Sequence, residues 1–246
     1  MPELLDETTI RYYFEGDPSL PFQIADFDSQ ISVLAADRKD RLMERIGDEL
    51  VINGTLESGV TISGPAYIGS GSVIHTGAEI QGPVYIGDNC SVRHGALVRS
   101  GTILGEGCVV GHSAEVKNSL CMSGSKMQSG VFVGDSILGR GARLGSGTIL
   151  ANRRFSQDLV SLKVSGQKLA TGVQFFGALI GDYARLGANV VTAPGTVVGP
   201  YTWVASLVSL QGFIPRAKLV LLKQELEYRD KEETVLRSGR DEYEST

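Results

Sequence analysis

The chain has 246 residues, of which 42% are hydrophobic and 21% are charged, and its formal net charge is -5. This composition is typical of one large globular unit with smaller end pieces. The negative charge argues against nucleic acid as a partner, because nucleic-acid binding requires a basic surface. Neither a signal peptide nor a long apolar run is apparent in the sequence, so we expect a cytoplasmic protein that does not use a membrane.

Residues 1–50 show no repeat, and we expect them to form a cap segment over the first coil of the repeat domain that follows. A cap is expected because the open end of a repeat protein would expose strand edges and apolar interior. In residues 51–214 an aliphatic residue recurs on every sixth position. A period of six fits neither a helix nor a simple strand. It predicts a triangular coil of short parallel strands, with three hexads in each turn.

The predicted inward positions form a run up to Met122 and, after a break, two further runs that share one register with each other. The first run is Leu56, Ile62, Ile68, Ile74, Ile80, Ile86, Val92, Val98, Leu104, Val110, Val116 and Met122, and the second is Phe132, Leu138, Leu144 and Leu150. The third run is Ile180, Leu186, Thr192, Val198, Val204 and Leu210. Because the step from Met122 to Phe132 is ten, we expect four inserted residues and an outward bulge over Gly124 to Gly130.

Two further segments depart from the repeat. Residues 152–176 lack the pattern, and we predict an extruded loop, since long loops on a rigid scaffold are often functional. Its basic residues are Arg153, Arg154, Lys163 and Lys168. Residues 215–246 are predicted to form a C-terminal helix and a polar tail, because Pro215 precedes a helical spacing of apolar residues. These are Ala217, Leu219, Leu222 and Leu226.

The cysteines and histidines predict neither a disulfide scaffold nor a metal site. The three cysteines are too few for a disulfide scaffold and are expected to be buried and reduced. They are Cys90, Cys108 and Cys121. His94 and His112 are three hexads apart, while His75 is one residue out of phase. Two stacked histidines are too few ligands for a zinc site within one chain, so no metal is expected.

Arg99 and Lys117 are a basic pair three hexads apart, so we expect them to stack on neighbouring coils at about 4.8 Å. With no stacked carboxylate between them, the two cations favour an anion such as a sugar phosphate or a diphosphate. The alternative is that both side chains extend into water, as surface charges commonly do.

The segment from Cys108 to Val204 resembles one branch of the hexapeptide-repeat acyltransferases. It is similar to the C-terminal acetyltransferase domain of the bifunctional N-acetylglucosamine-1-phosphate uridyltransferase / glucosamine-1-phosphate acetyltransferase family, especially its archaeal-type sugar-1-phosphate nucleotidylyltransferases. The resemblance rests on Glu115-Val-Lys-Asn-Ser119, Gly124-Ser-Lys126, Val133-Gly-Asp-Ser136, Gly145-Ser-Gly-Thr-Ile-Leu-Ala-Asn152 and Gly177-Ala-Leu-Ile-Gly181. It implies an all-β, left-handed parallel β-helix, acetyl-CoA as co-substrate, and a homotrimer with active sites between subunits.

The resemblance also implies site residues. Arg99 and Lys117 match the family's basic pair at the sugar-phosphate or uridine-diphosphate site. Phe132 stands where the family commonly has a tyrosine near the sugar, Asn152 matches an asparagine that holds the sugar, and Arg143 replaces an asparagine of the pocket. The positions that meet acetyl-CoA in the family are Ser146, Ala188 and Ser206.

One position departs from the family's chemistry. After Gly-Ser-Lys and two further residues the family has a histidine that acts as general base, whereas this chain has Ser129. Loss of a positioned base typically slows a reaction about 10²- to 10⁴-fold. A serine cannot replace it at neutral pH without its own activator. His112 is the alternative base.

Three functions remain open from the sequence. The first is an acyl-CoA-dependent transferase, with acetyl as the expected acyl group, that acts on an amino sugar phosphate or nucleotide sugar. The second is a non-catalytic module that binds such a ligand and regulates a sugar-activating enzyme. The third, a zinc carbonic anhydrase, finds little support in the histidine spacing. Residues 1–50 lack the glycine-rich phosphate loop of a nucleotidyltransferase, so we expect that activity, if present, in a separate partner.

Overall fold

The computed structural model describes residues 6–18, 20, 44 and 46–230. Its main body is a parallel β-solenoid whose strands form three long sheets, one for each side of the triangular coil. A four-residue helix, α1 (Ile10–Tyr13), precedes the solenoid. No helix among these residues has the length and apolar character that crossing a membrane requires.

The three sheets are named face 1, face 2 and face 3. Face 1 consists of β1 (Leu50–Ile52), β4 (Ala66–Ile68), β7 (Val84–Ile86), β10 (Thr102–Leu104), β13 (Leu120–Cys121), β16 (Ile137–Leu138), β21 (Ala178–Ile180), β24 (Thr196–Val198) and β27 (Phe213–Ile214). Face 2 consists of β2 (Thr55–Leu56), β5 (Val73–Ile74), β8 (Ser91–Val92), β11 (Val109–Val110), β14 (Lys126–Met127), β17 (Arg143–Leu144), β22 (Arg185–Leu186), β25 (Trp203–Val204) and β28 (Leu219–Val220).

Face 3 consists of β3 (Thr61–Ser63), β6 (Glu79–Gln81), β9 (Leu97–Arg99), β12 (Glu115–Lys117), β15 (Phe132–Gly134), β18 (Ile149–Leu150), β23 (Val191–Thr192) and β26 (Ser209–Leu210). A separate antiparallel hairpin is formed by β19 (Ser161–Val164) and β20 (Gln167–Ala170).

The early coils repeat every three hexads, as the sequence predicts. Ile68, Ile86 and Leu104 pair in register on face 1 and are fully buried. Cys90 and Cys108 fill the same interior and are free thiols. The three-hexad turn and the aliphatic interior are therefore confirmed, and the parallel all-β solenoid agrees with the left-handed β-helix that the resemblance implies.

The predicted bulge over Gly124 to Gly130 is wrong. Within this segment β14 pairs in parallel with β11 and β17, so the coil continues without an insertion. The step between successive inward residues is five instead of six at two places, from Val116 to Cys121 and from Val133 to Leu138. Two corners are thus shortened, and the turns through this region are each one residue short of three full hexads.

Two residues predicted to point inward therefore lie elsewhere. Met122 is buried, but in a second apolar cluster outside the coil. Phe132 begins β15 on face 3 and is half-buried, while its neighbour Val133 is the inward residue. In the later coils the inward positions from Ile180 to Leu210 agree with the hexads.

The excursion at residues 152–176 is a folded element. Its hairpin buries Leu162, Val164 and Leu169 against the outer side of face 1. The apolar side chains that face 1 presents there include Ile137 and Leu179. These outward side chains need cover because buried apolar area is the main source of folding free energy. The excursion thus leaves the coil as predicted, and it packs back onto it.

The described part of the N-terminal segment lies along face 1 and does not cover the first coil. Tyr13 and Phe14 are buried in the same outer cluster as the hairpin. The Tyr13 carbonyl accepts a hydrogen bond from the Asp182 N–H at 3.0 Å, far along the solenoid. At the first coil, Leu50 is 51% exposed. The cap expected over this end is thus not formed by the described residues, and residues 1–5 and 21–43 lie outside them.

The predicted C-terminal helix is wrong for the described residues. Leu219–Val220 forms β28, which pairs with β25 and adds a further strand to face 2. Residues 221–230 form neither helix nor strand. The leucines have helical spacing, but the segment forms a strand because the exposed edge of the last coil offers it main-chain hydrogen-bond partners. Residues 231–246 lie outside the described residues.

Candidate functional site

A single corner of the solenoid, between faces 2 and 3, collects most of the residues that the sequence assigns to catalysis and to the acyl donor. We call it the corner row: His94, His112, Ser129, Ser146, Ala188 and Ser206. Main-chain hydrogen bonds stack its members on successive coils. Gly130 N–H donates to the His112 carbonyl at 2.9 Å, and Gly147 N–H donates to the Ser129 carbonyl at 3.0 Å. His112 therefore lies one coil from Ser129 in the same corner.

The His112 ring is held in one tautomer when it is neutral. Its Nδ1 lies 2.9 Å from the carbonyl oxygen of His94, which can only accept a hydrogen bond. Nδ1 must therefore carry a proton, so the lone pair of the neutral ring is on Nε2. The Ser113 hydroxyl lies 3.2 Å from Nε2 and can donate to it. An exposed histidine in this state is suited to act as a general base.

The basic pair lies at the far edge of face 3 from the corner row. Arg99 and Lys117 end β9 and β12 and are partners in register, as their spacing predicts. No carboxylate is stacked between them, but each cation has a carboxylate partner from another position. Arg99 Nη1 lies 2.8 Å from Glu115 Oε1, and Lys117 Nζ lies 3.3 Å from Asp135 Oδ2. Neither carboxylate occupies the strand position at which Arg99 and Lys117 stack on each other. Through the two ion pairs they neutralise both cations.

Asp135 is the centre of a ladder of polar side chains beside the pair. Its carboxylate accepts a hydrogen bond from Asn118 Nδ2 at 2.6 Å and from Asn152 Nδ2 at 2.5 Å. The residue is only 3% exposed. Because the Asn152 amide nitrogen is used by Asp135, the amide oxygen of Asn152 is left as an acceptor for a ligand hydroxyl.

The folded excursion returns to this site. Phe175 pairs through an isolated bridge with Arg153, which follows Asn152 in the chain. Lys117 Nζ lies 4.9 Å from the Phe175 ring centroid, and the Arg153 guanidinium carbon lies 5.8 Å from it. Cation–π contacts of this kind position a positive charge without neutralising it. Arg153 thus adds a third cation to the far edge of face 3.

Phe132 lies between the corner row and the basic pair. It pairs in register with Glu115 at the first position of the face 3 strands. Such a strand of three residues spans about 7 Å between its first and last Cα atoms. The corner row and the basic pair thus border opposite edges of one face, with Phe132 between them.

Arg143 does not join this group within one chain. It begins β17 on face 2, where it is exposed and pairs in register with Lys126 and Arg185. These three cations form a stack on a side of the coil different from that of Arg99. Ser146, which shares a coil with Arg143, does lie in the corner row.

The sequence missed Asp135, Glu115 and Phe175 as site residues. A signal for the first was present, because Asp135 stands midway in the sequence between Asn118 and Asn152. Each of these two steps is one residue less than three hexads. Residues at this spacing stack on successive coils only where a turn is shortened. Phe175 gave no such signal, since its place depends on how the excursion folds back.

Comparisons with known proteins give two sequence matches. Residues 80–176 match a family model described as the GMPPB C-terminal domain. The bifunctional sugar-1-phosphate nucleotidylyltransferase/acetyltransferase of Sulfurisphaera tokodaii is 38% identical over 87 residues, which is 35% of this chain and 22% of that protein. The matched part of the chain thus spans about a fifth of the curated relative.

Solved structures give weaker similarities. A putative acetyltransferase from Bacillus cereus is 19% identical, with a TM-score of 0.38 and coverage of 64% of this chain and 73% of that one. A mutant of AntD, an N-acyltransferase from Bacillus cereus solved with dTDP and coenzyme A, is 15% identical, with a TM-score of 0.32 and coverage of 76% and 90%. Scores of this size carry no argument about function. The sequence matches confirm the resemblance to sugar-1-phosphate nucleotidylyltransferase/acetyltransferase proteins over part of the chain.

Proposed function

We propose that this chain is an acyltransferase that moves an acyl group from acyl-CoA to the amino group of a phosphorylated or nucleotide-linked sugar. The observation that carries the proposal is the His112 ring, whose Nε2 is available as a base one coil from Ser129. The curated relative from Sulfurisphaera tokodaii, which is named as an acetyltransferase, supports the same chemistry.

In the proposed reaction His112 replaces the base that Ser129 cannot provide. The sugar amine attacks the thioester carbonyl and forms the new C–N bond, while His112 Nε2 accepts the proton that the nitrogen loses. The C–S bond breaks, and the leaving thiolate takes that proton from the imidazolium. The His94 carbonyl stabilises the protonated ring through its hydrogen bond to Nδ1.

The basic edge of face 3 would hold the phosphate group of the substrate. Arg99, Lys117 and Arg153 carry three positive charges against the two negative charges of Glu115 and Asp135, which leaves one net positive charge. A phosphate would compete with the Glu115 carboxylate, which holds Arg99 through one hydrogen bond, whereas a phosphate can accept two parallel hydrogen bonds from the guanidinium. The free amide oxygen of Asn152 would accept a sugar hydroxyl.

The remaining corner-row residues would line the acyl donor. Ser146, Ala188 and Ser206 are small, so they leave the corner open to an elongated ligand such as the pantetheine arm of coenzyme A. The Ser206 hydroxyl already accepts a hydrogen bond from the Ala188 N–H at 3.1 Å, which orders this part of the corner. We propose a cytoplasmic homotrimer in which a neighbouring subunit completes the site, with a separate nucleotidyltransferase acting on the same sugar.

The test is an assay of coenzyme A release from acetyl-CoA. The acceptors are glucosamine-1-phosphate, a nucleotide-linked amino sugar, and glucosamine as the acceptor without phosphate. We expect release with at least one phosphorylated acceptor and a much higher KM for glucosamine. The Arg99→Ala and Lys117→Ala variants should raise KM for the phosphorylated acceptor with little change for glucosamine. Coenzyme A release that is equal in all three proteins for every acceptor would remove the basic pair from the site.

A second function, a non-catalytic sugar-phosphate or nucleotide-sugar module, is favoured by the presence of Ser129 in the family's base position. Calorimetric titration separates it from the enzyme. If the phosphorylated ligand binds, and Arg99→Ala weakens that binding, while no acyl-CoA is consumed with any acceptor, the chain is a binding module. Its partner would then be a sugar-activating enzyme.

A further inference from the structure

We infer a divalent-metal site formed by Glu57, His75 and His94 at the first coils of the solenoid. The three residues come from three successive coils and meet at the corner between faces 2 and 3. One ligand atom from each lies within 4.8 Å of those of the other two. Two imidazoles and one carboxylate form a donor set that suits zinc, with the fourth position left for water.

The distances bracket those of a tetrahedral site. His75 Nδ1 lies 2.9 Å from Glu57 Oε1, and His94 Nε2 lies 3.9 Å from Glu57 Oε2. Zinc bonds of about 2.0–2.1 Å at tetrahedral angles separate neighbouring ligand atoms by roughly 3.3–3.4 Å. The two distances run to different oxygens of the Glu57 carboxylate, so binding zinc requires the side chains to shift by about 0.5 Å or more. Side-chain rotation supplies such a shift, because His94 is exposed and the Glu57 side chain is only partly buried.

Hydrogen bonds to neighbouring residues already orient two of the three ligands. In the metal-free chain His75 Nδ1 donates its proton to Glu57 Oε1 at 2.9 Å. A metal would take the place of that proton, and the ring proton would then lie on Nε2, where the Ser91 hydroxyl at 3.3 Å can accept it. Thr76 donates to Glu57 Oε2 through its N–H at 2.9 Å and its hydroxyl at 3.1 Å. Partners of this kind fix ligand orientation in known zinc sites.

The ring arrangement also fits a shared cation. The His75 and His94 rings are stacked, with centroids 5.1 Å apart and planes 25° apart, and both reach the same carboxylate. Histidine is the commonest metal ligand when its imidazole is neutral. The three-hexad spacing would pair His94 with His112 as metal ligands. His112 is not part of this site, because its Nδ1 is hydrogen-bonded to the His94 carbonyl.

The site would join the first three coils, at an end of the solenoid that the described residues leave uncovered. Leu50 and Leu56 are 51% and 37% exposed at this end. A metal bound by one residue from each coil would tie the end strand to the well-packed coils behind it. The bound metal would therefore stabilise the folded state by mass action.

The experiment measures zinc binding to the full chain without an affinity tag of histidines. The protein is treated with a chelator, dialysed, titrated with zinc against a chromophoric competitor, and melted with and without zinc. We expect one zinc per chain, and at a hundredfold excess over Kd a rise in Tm of about 5–10 °C. His75→Ala and His94→Ala should each weaken binding by roughly tenfold or more and remove the rise in Tm.

His112→Ala is the matched control, because it removes the third histidine of the same corner without removing a ligand. It should bind zinc as the wild type does. Glu57→Gln removes the anionic ligand while keeping the size of the side chain, and it should also weaken zinc binding. It provides the test if the histidine variants fold poorly. Wild-type binding that is absent, that survives both His94→Ala and Glu57→Gln, or that is lost in His112→Ala would overturn the inference.

Discussion

Replacing Asp135 should destabilise the fold and disorganise the proposed substrate edge together. Asp135→Ala leaves Lys117, Asn118 and Asn152 without their shared acceptor in a place where the carboxylate is 4% exposed. Removing one partner of a buried ion pair costs about 3–5 kcal/mol. The backbone of Asp135 has φ of +47°, which adds about 1 kcal/mol for alanine, since aspartate tolerates this region better. The expected loss is thus about 4–6 kcal/mol.

Asp135→Asn is the matched control. It keeps the size of the side chain, one acceptor oxygen and a residue type that tolerates positive φ, so it should lose only about 1–2 kcal/mol. Urea unfolding followed by circular dichroism, repeated at two protein concentrations to reveal any oligomer, gives both values. A loss below about 1 kcal/mol for Asp135→Ala, or equal losses in the two variants, would refute the view that the acceptor oxygens of Asp135 organise this edge.

Three further predictions concern the coil, its assembly and its pH dependence. Ile86→Asp should fail to fold, because it buries an unpaired charge in the interior; a soluble, folded variant with native circular dichroism would contradict the inward register. Light scattering should show a homotrimer at micromolar concentration, and a stable monomer would count against an intersubunit site. Burial raises the pKa of Asp182 to about 6. The folded protein therefore keeps a proton that the unfolded chain releases near pH 4, so this group's contribution to stability falls by up to about 3 kcal/mol between pH 4 and 7. Urea unfolding across that range should show this fall in the wild type and not in Asp182→Asn; parallel profiles would contradict it.

Much of the solenoid could be predicted because the hexad period acts through local sequence. An aliphatic residue every six positions specifies the inward side chains of most coils, and Ile68, Ile86 and Leu104 stack as expected. The shortened turns could not be found this way. Cys121 and Met122 are both apolar, as are Phe132 and Val133, so either member of each pair satisfies the pattern.

The ends of the chain were harder to predict because their structure depends on long-range partners. Leu219, Leu222 and Leu226 have helical spacing, yet the exposed edge of β25 takes Leu219–Val220 as a strand. Likewise, Tyr13 and Phe14 find their apolar partners on the outside of face 1, which hexad counting does not describe.

The candidate site was predicted in part. The three-hexad spacing correctly placed Arg99 beside Lys117. It could not reveal that Glu115 and Asp135 neutralise them, because both carboxylates reach across from other positions. The relation of His112 to Ser129 was hidden by the bulge expected between them. Once the coil is continuous, the two residues occupy the same corner on successive coils.

The most direct test of the proposed function is the rate of acetyl transfer by His112→Gln and Ser129→Ala, measured in single turnover with the best phosphorylated acceptor. Glutamine keeps a hydrogen-bonding side chain but cannot take a proton, so His112→Gln should slow transfer about 10²- to 10⁴-fold. Ser129→Ala should change the rate less than about threefold. Full activity in His112→Gln, or a large loss confined to Ser129→Ala, would contradict the assignment of His112 as the base.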